Sequence, residues 1–373
     1  MQLPMRKKAS ISAQADRDRD RIAAARKRRA ASADDNPGGV SALVSDADEG
    51  PAVVVDFEAL RARTQKIVAL QTFEQVTQYR LKTKYKDLQR VLGSEDAGIP
   101  YGKVIELSGL EHGGKTLIGL ILMGLAQCDG AVAGHLDDEV SSDEIWETRL
   151  GVNYAQKILI QPKLVKPAKQ KKDESGKAVG RKSKMKESDP ARIEGAEELF
   201  AEMEANMAAL HEQGVKKQYW LVDSLANLTT IKQIEAGSTG QTMNTNVDLP
   251  VFLSRELPKL CGLAANYNAL IVVINQLRNK VGVFFGDPFD TPGGRAARHA
   301  FGNRTRVKRL KNGMLRQGQR VTGIVGVLSN IKNKMGHGSV QSEQCGFKVS
   351  WRKDQIEYDF MRVADAEALL KGE

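Results

Sequence analysis

The octapeptide Gly109-Leu110-Glu111-His112-Gly113-Gly114-Lys115-Thr116 constrains this chain more than any other feature, because of what flanks it. The apolar run Val104 to Leu107 precedes it and the apolar run Leu117 to Ala126 follows, so its glycines fall where a strand hands over to a helix. Glycines let the backbone curl until successive N–H groups point inward, and the first helical turn adds unsatisfied N–H groups and a partial positive charge. Such a nest holds an anion bearing several oxygens. In the pattern G-x-x-x-x-G-K-[ST] the loop surrounds a β-phosphate, Lys115 reaches the β- and γ-phosphates, and the Thr116 hydroxyl holds Mg²⁺. The sequence therefore predicts an ATP and Mg²⁺ site whose cradle is Gly109, Leu110, Glu111, His112, Gly113, Gly114, Lys115 and Thr116.

Around this junction, short apolar runs alternate with helical stretches. Val104 to Leu107, Val132 to Leu136, Ile158 to Ile160, Tyr219 to Val222 and Leu270 to Ile274 are brief and bounded by Gly, Asp or Asn, as buried parallel strands are. Thr116 to Gln127, Asp143 to Leu150, Ala191 to Glu212 and Leu249 to Ala265 carry helical patterns between them. The fold class expected is α/β: a P-loop ATPase core with a mainly parallel central sheet covered by helices on both faces. Ligands of such sheets gather at the carboxyl ends of the strands. Tyr219-Trp220-Leu221-Val222-Asp223 places a carboxylate there, and Asp223 fits a Walker B role toward the Mg²⁺. Asp137-Asp138-Glu139 ends another strand and offers groups to orient the attacking water, but spacing does not choose among the three.

The chain has 373 residues, 41% of them apolar, enough for a sizeable core, and a net charge of +10. The charge is unevenly placed. Residues 163–186 hold ten Lys or Arg against two Asp or Glu and have no apolar periodicity, so a flexible lysine-rich insertion is expected over 163–190. Residues 1–50 carry ten basic and eight acidic groups without an apolar stripe and are expected to form a disordered arm, and 51–100 a helical region that could join subunits. The core is expected over 101–345, with 346–373 as a short C-terminal segment. Cys128, Cys261 and Cys345 lie far apart and offer no zinc spacing. No apolar run approaches the roughly 20 residues of a membrane span, and the N-terminus is too charged for a signal peptide. A soluble protein of a reducing cytoplasm, without membrane association, is expected.

Taken together, GLEHGGKT, LDDEVSSDEIWETRLGV, VDSLANLT, INQLRNKVGVFFGDPFDTPGG and IKNK, in this order and spacing, resemble the bacterial RecA-type recombinases and their phage counterparts. The resemblance runs from about Tyr101 to Lys334 with the lysine-rich insertion set aside. It implies that Lys115 and Thr116 bind phosphate and magnesium, that Asp223 is the Walker B carboxylate, and that Glu139 is the catalytic glutamate. Trp146 falls where the family stacks a tyrosine on adenine. Gln276 matches the glutamine that senses the γ-phosphate and passes nucleotide state to the loop that follows. That loop, about Leu277 to Arg298, is implied to bind DNA through Arg278, Lys280, Val281, Phe284, Phe285, Gly293, Gly294 and Arg295, residues suited to phosphate contact, stacking and close backbone approach. Thr291 to Ser342 has eleven Lys or Arg and no Asp or Glu, as a DNA-facing surface would. Lys332 and Lys334 match the lysines that the family inserts into a neighbouring subunit's ATP site, where a cation stabilises charge on the γ-phosphate. The chain departs from the family at Ala236 to Asn246, the first DNA-binding loop, and at His299, where an aromatic is usual. The N-terminal subunit-linking elements are not recognisable before Tyr101, and from the short stretch after Lys334 the family's duplex-gathering C-terminal domain is expected to be missing or much reduced.

The resemblance implies a DNA-dependent ATPase that forms helical filaments on single-stranded DNA and promotes pairing and strand exchange with duplex DNA in recombination and repair, in a bacterial or phage-infected cell. Two rivals keep the fold: a DNA-binding scaffold or recombination mediator with little turnover, and a ring-forming helicase-like ATPase.

Overall fold

The computed structural model describes residues 79–165, 192–236, 248–279, 289–335, 343–351 and 356–371. The charged arm 1–50, residues 51–78, nearly all of the lysine-rich stretch, the first DNA-loop region from residue 237 to 247, and Lys280, Val281, Phe284 and Phe285 lie outside the described residues.

Elements in chain order are β1 (Arg80–Leu81), α1 (Lys86–Leu92), β2 (Ile99–Pro100), β3 (Lys103–Gly109), α2 (Lys115–Cys128), β4 (Val132–Asp137), α3 (Glu144–Arg149) and β5 (Lys157–Ile160). Next come β6 (Leu164–Val165), β7 (Arg192–Ile193), α4 (Ala196–Glu212), β8 (Gln218–Asp223), α5 (Ile231–Ala236), α6 (Asp248–Asn266), β9 (Ala269–Gln276) and β10 (Arg278–Asn279). The chain continues through β11 (Phe289–Asp290), α7 (Gly294–Ala300), β12 (Asn303–Gln317), β13 (Arg320–Asn333), β14 (Gln344–Trp351), β15 (Ile356–Met361) and α8 (Val363–Lys371). Nine strands make one sheet in the order β15-β14-β13-β12-β3-β9-β8-β4-β5. From β12 to β5 every pairing is parallel, and from β12 to β15 every pairing is antiparallel. The fold is thus α/β with a large, mostly parallel sheet flanked by helices.

The central strands read as unbroken apolar runs because both of their faces are buried. Tyr219, Leu221, Leu270, Val272 and Ile274 enter a core with Ile105, Leu107 and the side chains of α2. Their neighbours Trp220, Val222, Ile271 and Val273 enter a second core with Val104 and the apolar sides of α4 and α6. Helix α2 is apolar on almost its whole circumference, and ten of its fourteen residues are buried. A helix so placed is held by burial on all sides, at ~1.5–3 kcal/mol for each large aliphatic side chain.

Two expected boundaries move. The division at residue 345 cuts through β14, and the sheet runs on through Met361, with α8 packed by Ala366 beside Gly346. Residues 346–373 are therefore not simply a terminal segment beyond the core, because Phe347, Val349 and Phe360 are buried in the same cluster as α2. At the other end, the helical region expected over 51–100 is, where described, the short helix α1 between two short paired strands. Leu81, Leu88, Val91, Leu92 and Ile99 join that cluster too. Asn303 and Asn330 both donate to the carbonyl of Val91, at 2.8 and 2.7 Å, satisfying a carbonyl at the buried carboxyl end of α1.

Gly134 lies level with Trp220 on the adjacent strand, and a methyl group there would sit inside the indole ring. Gly134→Ala should destabilise the fold by ~1–3 kcal/mol through overpacking, seen as a lower urea midpoint at unchanged slope. An unmoved midpoint would show that β4 and β8 have room to part.

Candidate functional site

The parallel register sets the carboxyl ends of four strands side by side. Gly109 of β3 pairs with Gln276 of β9, and Asp137 of β4 pairs with Asp223 of β8. The loop leaving β3 curls through two left-handed residues, His112 with φ of 55° and Gly114 with φ of 93°, as it enters α2. Gly109 touches the β12 carbonyl of Val307 so closely that a Cβ would collide with it. A cavity of about 810 Å³ opens above this edge, lined by residues 111–117 together with Glu139, Trp146, Asp223, Asn227 and Gln276.

Lys115 is buried and donates to the carbonyl of Leu110 at 2.9 Å, so its ammonium is already folded back over the loop. Burial lowers its pKa against the pull of Asp223, Glu139 and Glu111. Thr116 donates through its hydroxyl to Asp223 Oδ2 at 2.6 Å. Burial raises the Asp223 pKa to about 7, opposed by that hydrogen bond, and its Oδ1 is buried without a partner. An orphaned carboxylate oxygen beside a hydroxyl is a hard oxygen pair suited to a divalent cation such as Mg²⁺.

The three carboxylates after β4 have separate environments. Burial opposes the charge of Asp137, but hydrogen bonds from Gln161 Nε2 at 2.8 Å and from the backbone N–H groups of Ser141 and Ser142 outweigh it and hold its pKa low. Asp137 is thus spent on fastening a turn. Burial first, then the charges of Asp137 and Glu139, push Asp138 up to about 6. Glu139 alone of the three lines the cavity, its Oε1 accepting from Ser224 Oγ at 3.0 Å and from Asn227 Nδ2 at 2.8 Å.

Trp146 stands on the cavity wall on α3, which Asp143 caps by accepting from the Trp146 N–H at 2.7 Å. Trp351 of β14 meets it edge to face, ring centres 5.6 Å apart. Behind them Glu147 and Lys157 form a fully buried ion pair of 2.6 Å, completed by Ser142, which donates to Glu147 at 2.6 Å and accepts from Lys157 at 2.8 Å. His135 lies against this pair with neither ring nitrogen hydrogen-bonded, and burial lowers its pKa to about 4.

Gln276, half-buried at the end of β9, lines the cavity, and the next residue, Leu277, donates its N–H to the Gly109 carbonyl at 3.2 Å. Arg278 donates to the Ala226 carbonyl at 3.4 Å, and β10 pairs with β11, closing the base of the following loop. Its return end is tied to the sheet. Asn275 donates to Glu106 at 2.8 Å and to the Pro292 carbonyl at 3.1 Å, while Arg304 bridges Glu106 and Thr291. Gly293 takes a left-handed φ of 89° to start α7, which holds the backbone of Gly294 and Arg295. Lys332 and Lys334 are not on this cavity. Lys332 donates to the carbonyls of Arg298 and His299, and its pKa is lowered by burial and by Lys334 and Arg304. Lys334 donates its N–H to Gly302 at 2.9 Å. Register puts Lys332 opposite Arg304, which is level with Glu106, about 10 Å short of the loop along β3.

The structure therefore gathers Lys115, Thr116, Asp223, Glu139, Trp146 and Gln276 at one site, and Lys332 and Lys334 do not line it. Sequence reasoning missed Trp351, Arg309, Met314 and Asn227 on the cavity wall. Trp351 lies 205 positions after Trp146, and no local signal announces it; Asn227 is visible only as a polar residue close behind a strand-end carboxylate.

Removing one member of the buried pair tests its part in holding α3. Lys157→Met strands Glu147 in a dry environment and should cost about 3–5 kcal/mol, whereas the double substitution with Glu147→Leu should cost much less. Unfolding by denaturant of both single variants and the double variant closes the cycle, and single losses that simply add up to the double loss would mean that the ions do not interact.

A profile of the RecA N-terminal domain matches residues 64–174 and 207–345. The chain is 30% identical over 258 residues to Protein RecA of Clostridium perfringens, covering 69% of this chain and 61% of that protein. It is 29% identical over 247 residues to Protein RecA of Caldanaerobacter subterraneus, at 66% and 60% coverage. To Protein RecA of Staphylococcus carnosus it is 31% identical over 239 residues, at 64% and 56%. The chain spans about three fifths of the length of these relatives.

Proposed function

The chain belongs to the RecA-type recombinase family, and from that membership we propose that it is a DNA-dependent ATPase that assembles as a filament on single-stranded DNA and promotes homologous pairing and strand exchange with a duplex. One observation carries the reading: a single cavity is lined by Lys115, Thr116, Asp223, Glu139 and Gln276, so the phosphate cradle and the root of the loop after β9 share a wall.

In this reading the loop N–H groups and Lys115 bind the β- and γ-phosphates of ATP, and Thr116 and Asp223 hold Mg²⁺. When bound, the metal neutralises charge on the phosphate oxygens. Glu139 takes the proton of the attacking water, Trp146 and Trp351 shelter the base, and Gln276 reads the γ-phosphate and sets the position of the loop beyond it. Arg278, Lys280 and Arg295 contact DNA phosphates, Val281, Phe284 and Phe285 offer stacking surface, and Gly293 and Gly294 permit close approach. Lys332 and Lys334 do not line their own protomer's cavity, which suits delivery to a neighbour's γ-phosphate and makes hydrolysis depend on assembly. The lysine-rich stretch and the N-terminal arm add sequence-independent attraction to the backbone of nucleic acid in the cytoplasm.

Phosphate release by the full chain should rise with single-stranded DNA. Lys115→Ala should lower turnover by at least about a hundredfold while the unfolding free energy from urea stays within about 1 kcal/mol of the parent. Unchanged turnover would refute the site, and turnover indifferent to DNA would favour a scaffold.

Trans delivery makes a separate prediction. Lys115→Ala protomers keep their lysines, and Lys332→Ala/Lys334→Ala protomers keep their cradle. Each should be inactive alone, and a mixture should recover phosphate release. No recovery, with both variants folded and co-assembled, would rule out delivery across the interface, and a lysine variant active alone would place the lysines outside the reaction.

A further inference from the structure

A second cavity, of about 480 Å³, lies beside the first, between the turn after β8, the start of α6 and the base of the loop after β9. Arg278, Thr229 and Gln233 supply its polar wall, and Leu228, Leu249 and Leu253 its apolar wall. Among the described residues, Asn227 is the one that lines both cavities.

Its side chain faces the chemistry of the first. Asn227 Nδ2 donates to Glu139 Oε1 at 2.8 Å, and that same oxygen accepts from Ser224 Oγ at 3.0 Å. Two donors on one oxygen fix the rotation of the carboxylate, leaving the other oxygen to address a water. The donors differ in freedom. Ser224 is buried directly behind Asp223, whereas Asn227 is exposed and rides on a turn held by its own N–H to Ser224 O at 3.3 Å and by Thr229 Oγ1 to Asn227 O at 3.3 Å. Those two contacts use backbone atoms of Asn227, so they survive loss of its side chain. The preceding residue, Ala226, receives the guanidinium of Arg278, the first cationic residue after Gln276. Through that contact the turn that carries Asn227 is joined to the polar wall of the second cavity.

We propose that Asn227 is a positioning residue that orients the Glu139 carboxylate and ties that orientation to the filling of the second cavity by a single strand of nucleic acid. This rests on the function proposed above. It adds a route from polynucleotide to water that runs through the turn after β8 rather than through Gln276.

Steady-state phosphate release by the full chain, with oligothymidylate as the strand and a fluorescent ATP analogue to read nucleotide affinity, tests it. Asn227→Ala should lower the strand-stimulated kcat about tenfold, the worth of one hydrogen bond to a charged group, at unchanged KM and unchanged analogue affinity. The oligothymidylate concentration at half-maximal stimulation should not move. Asn227→Asp, of equal size, sets a second carboxylate against Glu139 and should lower kcat further. In a Glu139→Gln background the residual rate should be the same with or without the Asn227→Ala substitution, because the amide acts through the carboxylate.

An unchanged kcat in Asn227→Ala, a loss carried by KM, or an equal loss in the Glu139→Gln background would overturn the proposal while leaving the ATPase reading intact. A parent protein that oligothymidylate does not stimulate, or a Glu139→Gln protein at parental rate, would bring down the functional reading and this inference with it.

Discussion

The site depends on lateral hydrogen bonding between parallel strands, which levels their carboxyl ends. Gly109 opposite Gln276 and Asp137 opposite Asp223 are fixed by backbone register, and the ladder extends one step past the strands where Leu277 N–H meets the Gly109 carbonyl and Asp138 N–H meets the Asp223 carbonyl at 2.8 Å. Each chemical group leaves the sheet at the same height, from a different strand, so none needs a long loop to reach the others. A slip of one residue in any of these pairings would turn its end residue to the opposite face.

Polar groups buried inside this scaffold are costly unless paired, and their pairing does specific mechanical tasks. Glu106, wholly buried on β3, is matched by Arg304 and Asn275, and those partners hold Thr291 and Pro292, the return end of the loop after β9. Glu147 and Lys157 do the same for α3 and hence for Trp146. The loop regions most concerned with ligand are therefore anchored at their roots by charges that cannot leave without exposing a partner.

How much of this was legible is decided residue by residue. The cradle and Asp223 were readable because glycine, lysine, threonine and a strand-end aspartate each do something no other side chain does there. The five parallel strands were readable because burial, on both faces for the four inner ones, makes their runs largely apolar. The antiparallel wing was not: β12, Asn303-Arg-Thr-Arg-Val-Lys-Arg-Leu, alternates basic and small residues and resembles a solvated loop, yet Val307 and Thr305 are buried and Arg304 is drawn inward by Glu106. Residues 346–361 looked like a tail because only their pairing with β13 gives Phe347 and Val349 a core to enter.

The sequence by itself determined the chemistry on offer, since a glycine-rich loop of N–H groups opening a helix, a strand-end carboxylate and a cluster of acids after β4 are properties of short segments and their local geometry. The tertiary structure alone decided which of three adjacent carboxylates faces the cavity, that Trp351 stands beside Trp146, that Asn227 borders two cavities, and that Lys332 and Lys334 do not line the cavity of their own chain. Those outcomes depend on strand order and on where buried charges find partners, and both are settled between segments far apart in the chain, where no local pattern records them.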